Sequence, residues 1–219
     1  MLELPRDKKI LVLAAHPDDE ALGCGATISK LSSEGNYIEL VTFTDGISSR
    51  VKGDRTSTAT QSAEVLGIAK VHSGNFPDNA MDSVPLLALC KFIEENVGFA
   101  PDIIFTHHPD CLNVDHGRVY SATITAYRPQ RGESMSIYSY YVPSSTDYNP
   151  LNNFQGNMYI DVKNHVETKM KCLREVYGEE MREYPHSRSY RNVENLMKVW
   201  GSEVGLEYAE KFQLIRQVV

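Results

Sequence analysis

Cysteine is scarce in this chain, and no two cysteines lie close together. Cys24, Cys90, Cys111 and Cys172 are scattered through 219 residues without a Cys-x-x-Cys pair. That pattern excludes a cysteine zinc knuckle and gives no reason to expect a disulfide framework, so reduced thiols in a cytoplasmic protein are the expectation. Positive charge is also short: 22 Lys and Arg stand against 29 Asp and Glu, a net charge of -7. This balance argues against nucleic acid or an anionic membrane surface as a partner. No apolar run approaches the roughly 20 residues of a transmembrane helix. The stretch from Met1 to Lys9 carries charge on both sides of Pro5 and no apolar segment, so no signal peptide is expected. Repeats, low-complexity tracts and linker-like stretches are missing too, and residues 1–219 read as one domain.

What the chain does have is ordinary globular composition, 42% hydrophobic and 23% charged. Apolar runs alternate with helical patterns. Strands are expected over Lys9–Ala15, Tyr37–Thr44, Ala69–Ser73, Asp102–His107 and Ser136–Val142. Helices are expected over Asp19–Glu34, Ser57–Leu66, Pro85–Val97 and Asp115–Tyr127. This rhythm predicts an α/β fold, a Rossmann-like, mostly parallel sheet with helices on both faces. In the last third, Met158–Asp161 reads as a short strand. Val166–Met181 reads as a helix with a solvated Glu/Lys/Arg face. Asn192–Trp200 and Glu203–Phe212 read as two further helices. Met170, Leu173 and Val176 are expected to face inward or a second copy of the chain, which leaves a homo-oligomer open.

Three polar clusters follow predicted strands: His16-Pro17-Asp18-Asp19-Glu20, Thr44-Asp45-Gly46, and His107-His108-Pro109-Asp110 running on to Asp115-His116. In a parallel sheet all three fall on the carboxyl rim, where open α/β sheets place their ligands. A His, an Asp and a second His make a credible divalent metal site, and zinc suits such donors best. A further carboxylate beside the metal can accept the proton of an attacking water. The chemistry that follows is metal-assisted hydrolysis of an amide or ester. A polar turn with a helix cap is the plainer alternative for the first cluster. A non-catalytic nucleotide-binding protein would instead place Gly-x-Gly-x-x-Gly after the first strand, and His-Pro-Asp-Asp-Glu stands there.

His16-Pro17-Asp18-Asp19-Glu20 followed by Gly23-Cys24-Gly25 resembles the signature of the LmbE-like, or PIG-L, deacetylases. Thr44-Asp45-Gly46, Arg55, Leu66-Gly67, Phe76-Pro77-Asp78, Asn113-Val114-Asp115-His116, Pro185-His186-Ser187-Arg188-Ser189 and the stretch from Gly205 to Phe212 recur in the family's order. The resemblance implies a zinc-dependent de-N-acetylase of N-acetylglucosaminyl compounds, with a small N-acetyl sugar or sugar conjugate as substrate. It implies His16, Asp19 and His116 as zinc ligands and Asp18 as the base that activates the water on the zinc. It further implies Asp115 as a support behind a ligand and Arg55 as a substrate contact. Amide hydrolysis on another N-acyl sugar or on a thiol conjugate would use the same residues.

One position departs from the family. A histidine three residues before the last ligand is replaced by Asn113. Its amide can donate to an oxyanion but cannot protonate a leaving amine. Asp18, once protonated, or His186 is expected to do so, His186 ahead of His107, His108 and Tyr141. Asp45 is expected either to bind a sugar hydroxyl or to cap the turn at Gly46, and Asp78 reads the same way. Arg188 is expected to meet an anionic substrate group, with a surface arginine as its alternative. Glu20 reads as a first-turn acid on a helix or as a site residue. Cys24 reads as a small buried hydrophobe.

Overall fold

The structure is a computed structural model that describes residues 6–45, 56–129, 134–151 and 153–218. In chain order the main elements are β1 (Lys9–Ala14), α1 (Asp19–Ser33), β2 (Tyr37–Thr42), α2 (Thr56–Leu66), β3 (Lys70–Ser73), α3 (Leu86–Asn96) and β4 (Ile103–His107). They continue as α4 (Val114–Ala126), β5 (Met135–Tyr140), β6 (Met158–Asp161), α5 (Val166–Glu175), α6 (Tyr190–Glu203) and β7 (Ala209–Val218). The strands form a seven-stranded sheet in the order β3-β2-β1-β4-β5-β7-β6. The pairs from β3 through β5 are parallel, while β7 runs antiparallel to both its neighbours. Among the described residues no helix is long and apolar enough to cross a membrane.

The central strand is apolar on both faces, as a strand with helices above and below it must be. Ile10, Val12 and Ala14 pack with residues of α1, α2, α5 and α6. Leu11, Leu13 and Ala15 pack with residues of α3 and α4. The chain winds outward from β1 through β2 to β3, then crosses to β4 on the other side of β1. Winding therefore reverses between β1 and β4, and the loops leaving these two strands part to open a crevice. His16 follows the first strand, and His107 and His116 bracket the loop after the second.

Two expectations are corrected. The helix expected over Glu203–Phe212 is absent, and β7 begins at Ala209 instead. Its register slips against β5, where Ile137 pairs with Arg216 and Tyr138 with Leu214. Ile215 is thus an extra bulge residue. A buried Glu210 hides the strand's alternation. The long helix expected over Val166–Met181 ends at Glu175, and its charged face is not wholly solvated. Lys169 is 1% exposed and donates from Nζ to Glu210 Oε1 at 2.6 Å.

That buried pair explains a break in α1. The helix kinks at Cys24, whose φ of -146° and ψ of 21° are non-helical. The amide of Ala26 and the carbonyl of Leu22 would bond each other in a continuous helix. Here the Ala26 and Thr27 amides donate to Glu210 at 3.2 and 2.7 Å, and Leu22 O accepts from Lys169 Nζ at 2.8 Å. An ion pair is inserted into the ladder, a recognised cause of kinking. Each ion meets the helix end of the sign it complements. Gly23 at the break lets the helix lie against Tyr140, since a Cβ there would stand 2.3 Å from the ring.

Removing one partner of a buried pair strands the other charge, typically at a cost of about 3–5 kcal/mol. Lys169→Met is therefore expected to lower the unfolding free energy by about that amount in urea titrations followed by circular dichroism. Lys198→Met, which breaks an exposed pair with Glu194 on α6, is expected to leave it nearly unchanged.

Candidate active site

The turn after β1 is closed on itself. Asp19 N donates to His16 O at 3.3 Å, and His16 N donates to Asp19 Oδ2 at 2.9 Å. This turn folds the Asp19 carboxylate under its own loop, 3.2 Å from His16 Nδ1. His116, on the first turn of α4, brings Nε2 to 3.3 Å from Asp19 Oδ1. His16, Asp19 and His116 each offer one ligand atom, all within 4.8 Å of one another. His16, Asp78 and Asp115 form a second such group. The two groups meet at His16, one on each ring nitrogen: Nε2 lies 3.0 Å from Asp115 Oδ2 and 3.3 Å from Asp78 Oδ1. Asp115 is itself fixed by the backbone amides of Asn79 and Met81 at 2.7 and 2.9 Å.

The electrostatics favour positive charge at these rings. Burial disfavours a charged His16, but Asp115, Asp19 and Asp78 outweigh it and raise its pKa to about 10. Burial opposes a charged His116 as well, and Asp19 and Cys111 raise it to about 9. Burial works against the Asp19 carboxylate, yet His116 and His107 hold it well below the usual carboxylate range. Two imidazoles and a carboxylate, backed by further acidic groups, fit a divalent cation of zinc's kind. The fit extends behind the ligands: His16 has Asp115 on its far nitrogen and His116 has Cys111 on its own, as metal-ligating histidines generally require.

Asp18 is held in an unusual conformation, with φ at 120° and the side chain buried. Such backbone costs a non-glycine residue on the order of 1–3 kcal/mol and persists only where surroundings impose it. Glu20 is one such constraint. Its Oε2 accepts from Asp18 N at 3.1 Å, and its Oε1 accepts from Ser62 and Tyr177 at 2.5 and 2.7 Å. Glu20 is therefore a buried tie between the His16 turn, α2 and the segment after α5, more than a first-turn acid. Burial raises the Asp18 pKa to about 6; Arg188 pulls it down and Asp19 pushes it up. Arg188 Nη1 donates to Asp18 Oδ2 at 2.9 Å, and its Nε donates to Ser144 at 3.1 Å.

The remaining expected site residues fall at different places. Asn113 caps α4: its Oδ1 accepts from Asp115 N at 2.8 Å and its Nδ2 donates to Asn79 at 3.2 Å. His186 Nδ1 accepts from Arg188 N at 3.0 Å, on the loop that delivers Arg188 to Asp18. Asp45 is half-buried and follows Thr44, whose N–H donates to Ala15 O at 3.0 Å, on the rim beside the His16 turn. Arg55 lies outside the described residues. His107 is fully buried, with Nε2 accepting from Ala15 N at 2.9 Å. Burial and the neighbouring His116 lower its pKa to about 3. His108 is tied to Gln213 and to Asp110 N. Cys24 is buried in the core as expected.

Sequence reasoning did not assign Arg188 to Asp18 or Cys111 to His116, because both contacts join segments that carry no shared motif. Since the guanidinium favours the ionised form of Asp18, removing it must move that pKa upward. Arg188→Met is expected to raise the Asp18 titration midpoint, read by carboxyl carbon NMR; an unchanged midpoint would show that the contact has no electrostatic weight.

Residues 11–127 match the PIG-L family, described as GlcNAc-PI de-N-acetylase. Diacetylchitobiose deacetylase of Thermococcus kodakarensis is 35% identical over 183 residues, covering 76% of this chain and 68% of that protein. N,N'-diacetylchitobiose deacetylase from Pyrococcus horikoshii superposes with a TM-score of 0.74 at 23% identity, over 95% of this chain and 84% of that one. GalB, a 4-carboxy-2-hydroxymuconate hydratase from Pseudomonas putida, superposes nearly as well, with a TM-score of 0.72 at 19% identity over 97% of this chain and 98% of that one. The fold thus hosts more than one reaction. The matched stretch spans both halves of the candidate metal site, from the His16 turn to His116, and on that match the chain belongs to the PIG-L family.

Proposed function

We propose that this chain is a zinc-dependent hydrolase that removes the N-acetyl group from an N-acetyl amino sugar or sugar conjugate. One observation carries the reading: a buried carboxylate, Asp18, which pairs with Arg188 and does not cap α1, adjoins the converging His16, Asp19 and His116. Family membership and the deacetylase relative supply the amide and the sugar. His16, Asp19 and His116 would hold the cation. When bound, zinc supplies a Lewis acid for the acetyl carbonyl and brings the ionisation of its water toward neutrality.

The chain's own groups do the rest. Asp18 accepts the proton of the attacking water, held by Arg188 and by its constrained backbone in one orientation. Arg188 is thereby given a role on the base, in place of the substrate anion expected from sequence. The leaving amine needs a proton, and we assign it to His186. To give that proton His186 must act as the imidazolium, donating from Nε2 and giving up the hydrogen bond that its Nδ1 accepts from Arg188 N in the neutral ring. Asn113 spends one amide hydrogen on Asn79 and is assigned the oxyanion with its other. Asp45, on the same rim, and Arg55 are assigned to the sugar.

Purified protein is expected to carry near-stoichiometric divalent metal and to release free amine from an N-acetylglucosamine oligosaccharide. Asp18→Asn is expected to lower kcat by about 10²–10⁴-fold with metal content unchanged, while His16→Ala loses the metal. A protein without metal that gains no activity from added zinc would sink the assignment. If His186→Ala leaves kcat and its pH profile intact, Asp18 returns the proton itself.

A further inference from the structure

Of the imidazoles that converge on Asp19, His16 and His116 are backed by unlike partners. Behind His16 stands the Asp115 carboxylate. Behind His116 stands a sulfur: Cys111 Sγ lies 3.1 Å from His116 Nδ1 and 3.1 Å from Thr146 Oγ1. Thr146 Oγ1 already accepts from Val142 N at 3.0 Å, which leaves its own O–H to donate to the sulfur. The loop that carries Cys111 is tied down by Cys111 N to His108 O at 3.2 Å and by Leu112 N to Ser145 O at 3.1 Å. Among the described residues, Sγ is the hydrogen-bond partner of His116 Nδ1.

The ring of His116 has little freedom otherwise. It stacks on His107 with centroids 3.8 Å apart and planes at 25°, and Nε2 faces Asp19. A neutral imidazole carries one proton. A nitrogen that ligates a cation must be bare, so Nε2 can serve only if the proton resides on Nδ1 and finds an acceptor there. Carboxylates and carbonyls usually supply it. The geometry points to Cys111 as the positioning residue that fixes His116 in its ligand-competent tautomer, with the thiol sulfur accepting the Nδ1–H. This assignment rests on the metal-dependent reading of the site. It also gives the buried Cys111 a function distinct from ligation, since its sulfur faces the far nitrogen of the ring.

Two variants separate this role from packing. Cys111→Val keeps the bulk and removes the acceptor; Cys111→Ser keeps an acceptor and loses bulk. Long-range proton–nitrogen spectra of the histidine rings report the tautomer, and Zn²⁺ titration against a chromogenic chelator reports affinity. At a pH above about 9, where the ring is neutral, the wild type and Cys111→Ser are expected to carry the His116 proton on Nδ1, and Cys111→Val to lose that pattern. Zn²⁺ affinity is expected to fall about 10–100-fold in Cys111→Val and to stay near wild type in Cys111→Ser. A neutral wild-type ring protonated on Nε2 alone overturns the assignment directly, without reference to any variant. So does a Cys111→Val protein with wild-type tautomer and affinity, which would make Cys111 a packing residue. A wild-type chain that binds no Zn²⁺ would overturn the metal reading instead, and the ring spectra would still decide the tautomer.

Discussion

The Asp19 carboxylate is the junction on which the rest of the site is built. Three imidazoles reach it: His16 at 3.2 Å, His116 at 3.3 Å and His107 at 3.4 Å. They arrive from the ends of two adjacent strands and from the helix after the second, so one buried anion links β1, β4 and α4. It is also bonded to the backbone of its own turn. A buried carboxylate with so many partners is costly to disturb, because His16 and His116 lose their counter-charge together with the anion. His107 contributes differently from the other two. Its low pKa keeps it neutral, a flat spacer packed between His116 and Tyr140.

Around that junction the protein separates two carboxylates that are neighbours in sequence. Asp19 is drawn down in pKa by imidazoles, while Asp18 is lifted by burial and steadied by one guanidinium. Environments that push adjacent acids apart suit the proposed division, in which one would hold a cation and the other move a proton. The backbone achieves the separation. A φ of 120° at Asp18 turns its side chain away from Asp19 toward Arg188, and Glu20 secures that turn from beneath.

Much of this was legible in the sequence, and the parts that were not have definable causes. β1 and β4 are continuous apolar runs that end abruptly in ionisable residues, so the sheet and its rim could be read directly. The His16, Asp19 and His116 set was legible through the family's motifs. Asp78, flagged only as a turn or sugar contact, proved to stand behind His16, a contact decided by tertiary packing alone. Lys169 and Glu210 were opaque for a different reason. Each sits in a segment whose polarity spells solvent, and only their mutual neutralisation makes burial tolerable. The buried charge at Glu210 then disguised the start of β7 as a helix. Arg55 could not be placed, since it lies outside the described residues.

The inserted ion pair in α1 also bears on how the chain is made. The amides of Ala26 and Thr27 find their acceptor 184 and 183 residues further along. During vectorial synthesis the His16 turn and the first turn of α1 emerge long before β7, yet the ladder between Leu22 and Ala26 cannot take its final form until β7 has been translated and threaded between β5 and β6. Contacts of such separation form late and slowly. The nascent chain therefore holds an unfinished α1 until β7 has been made, and that strand acts as the latch that completes the helix.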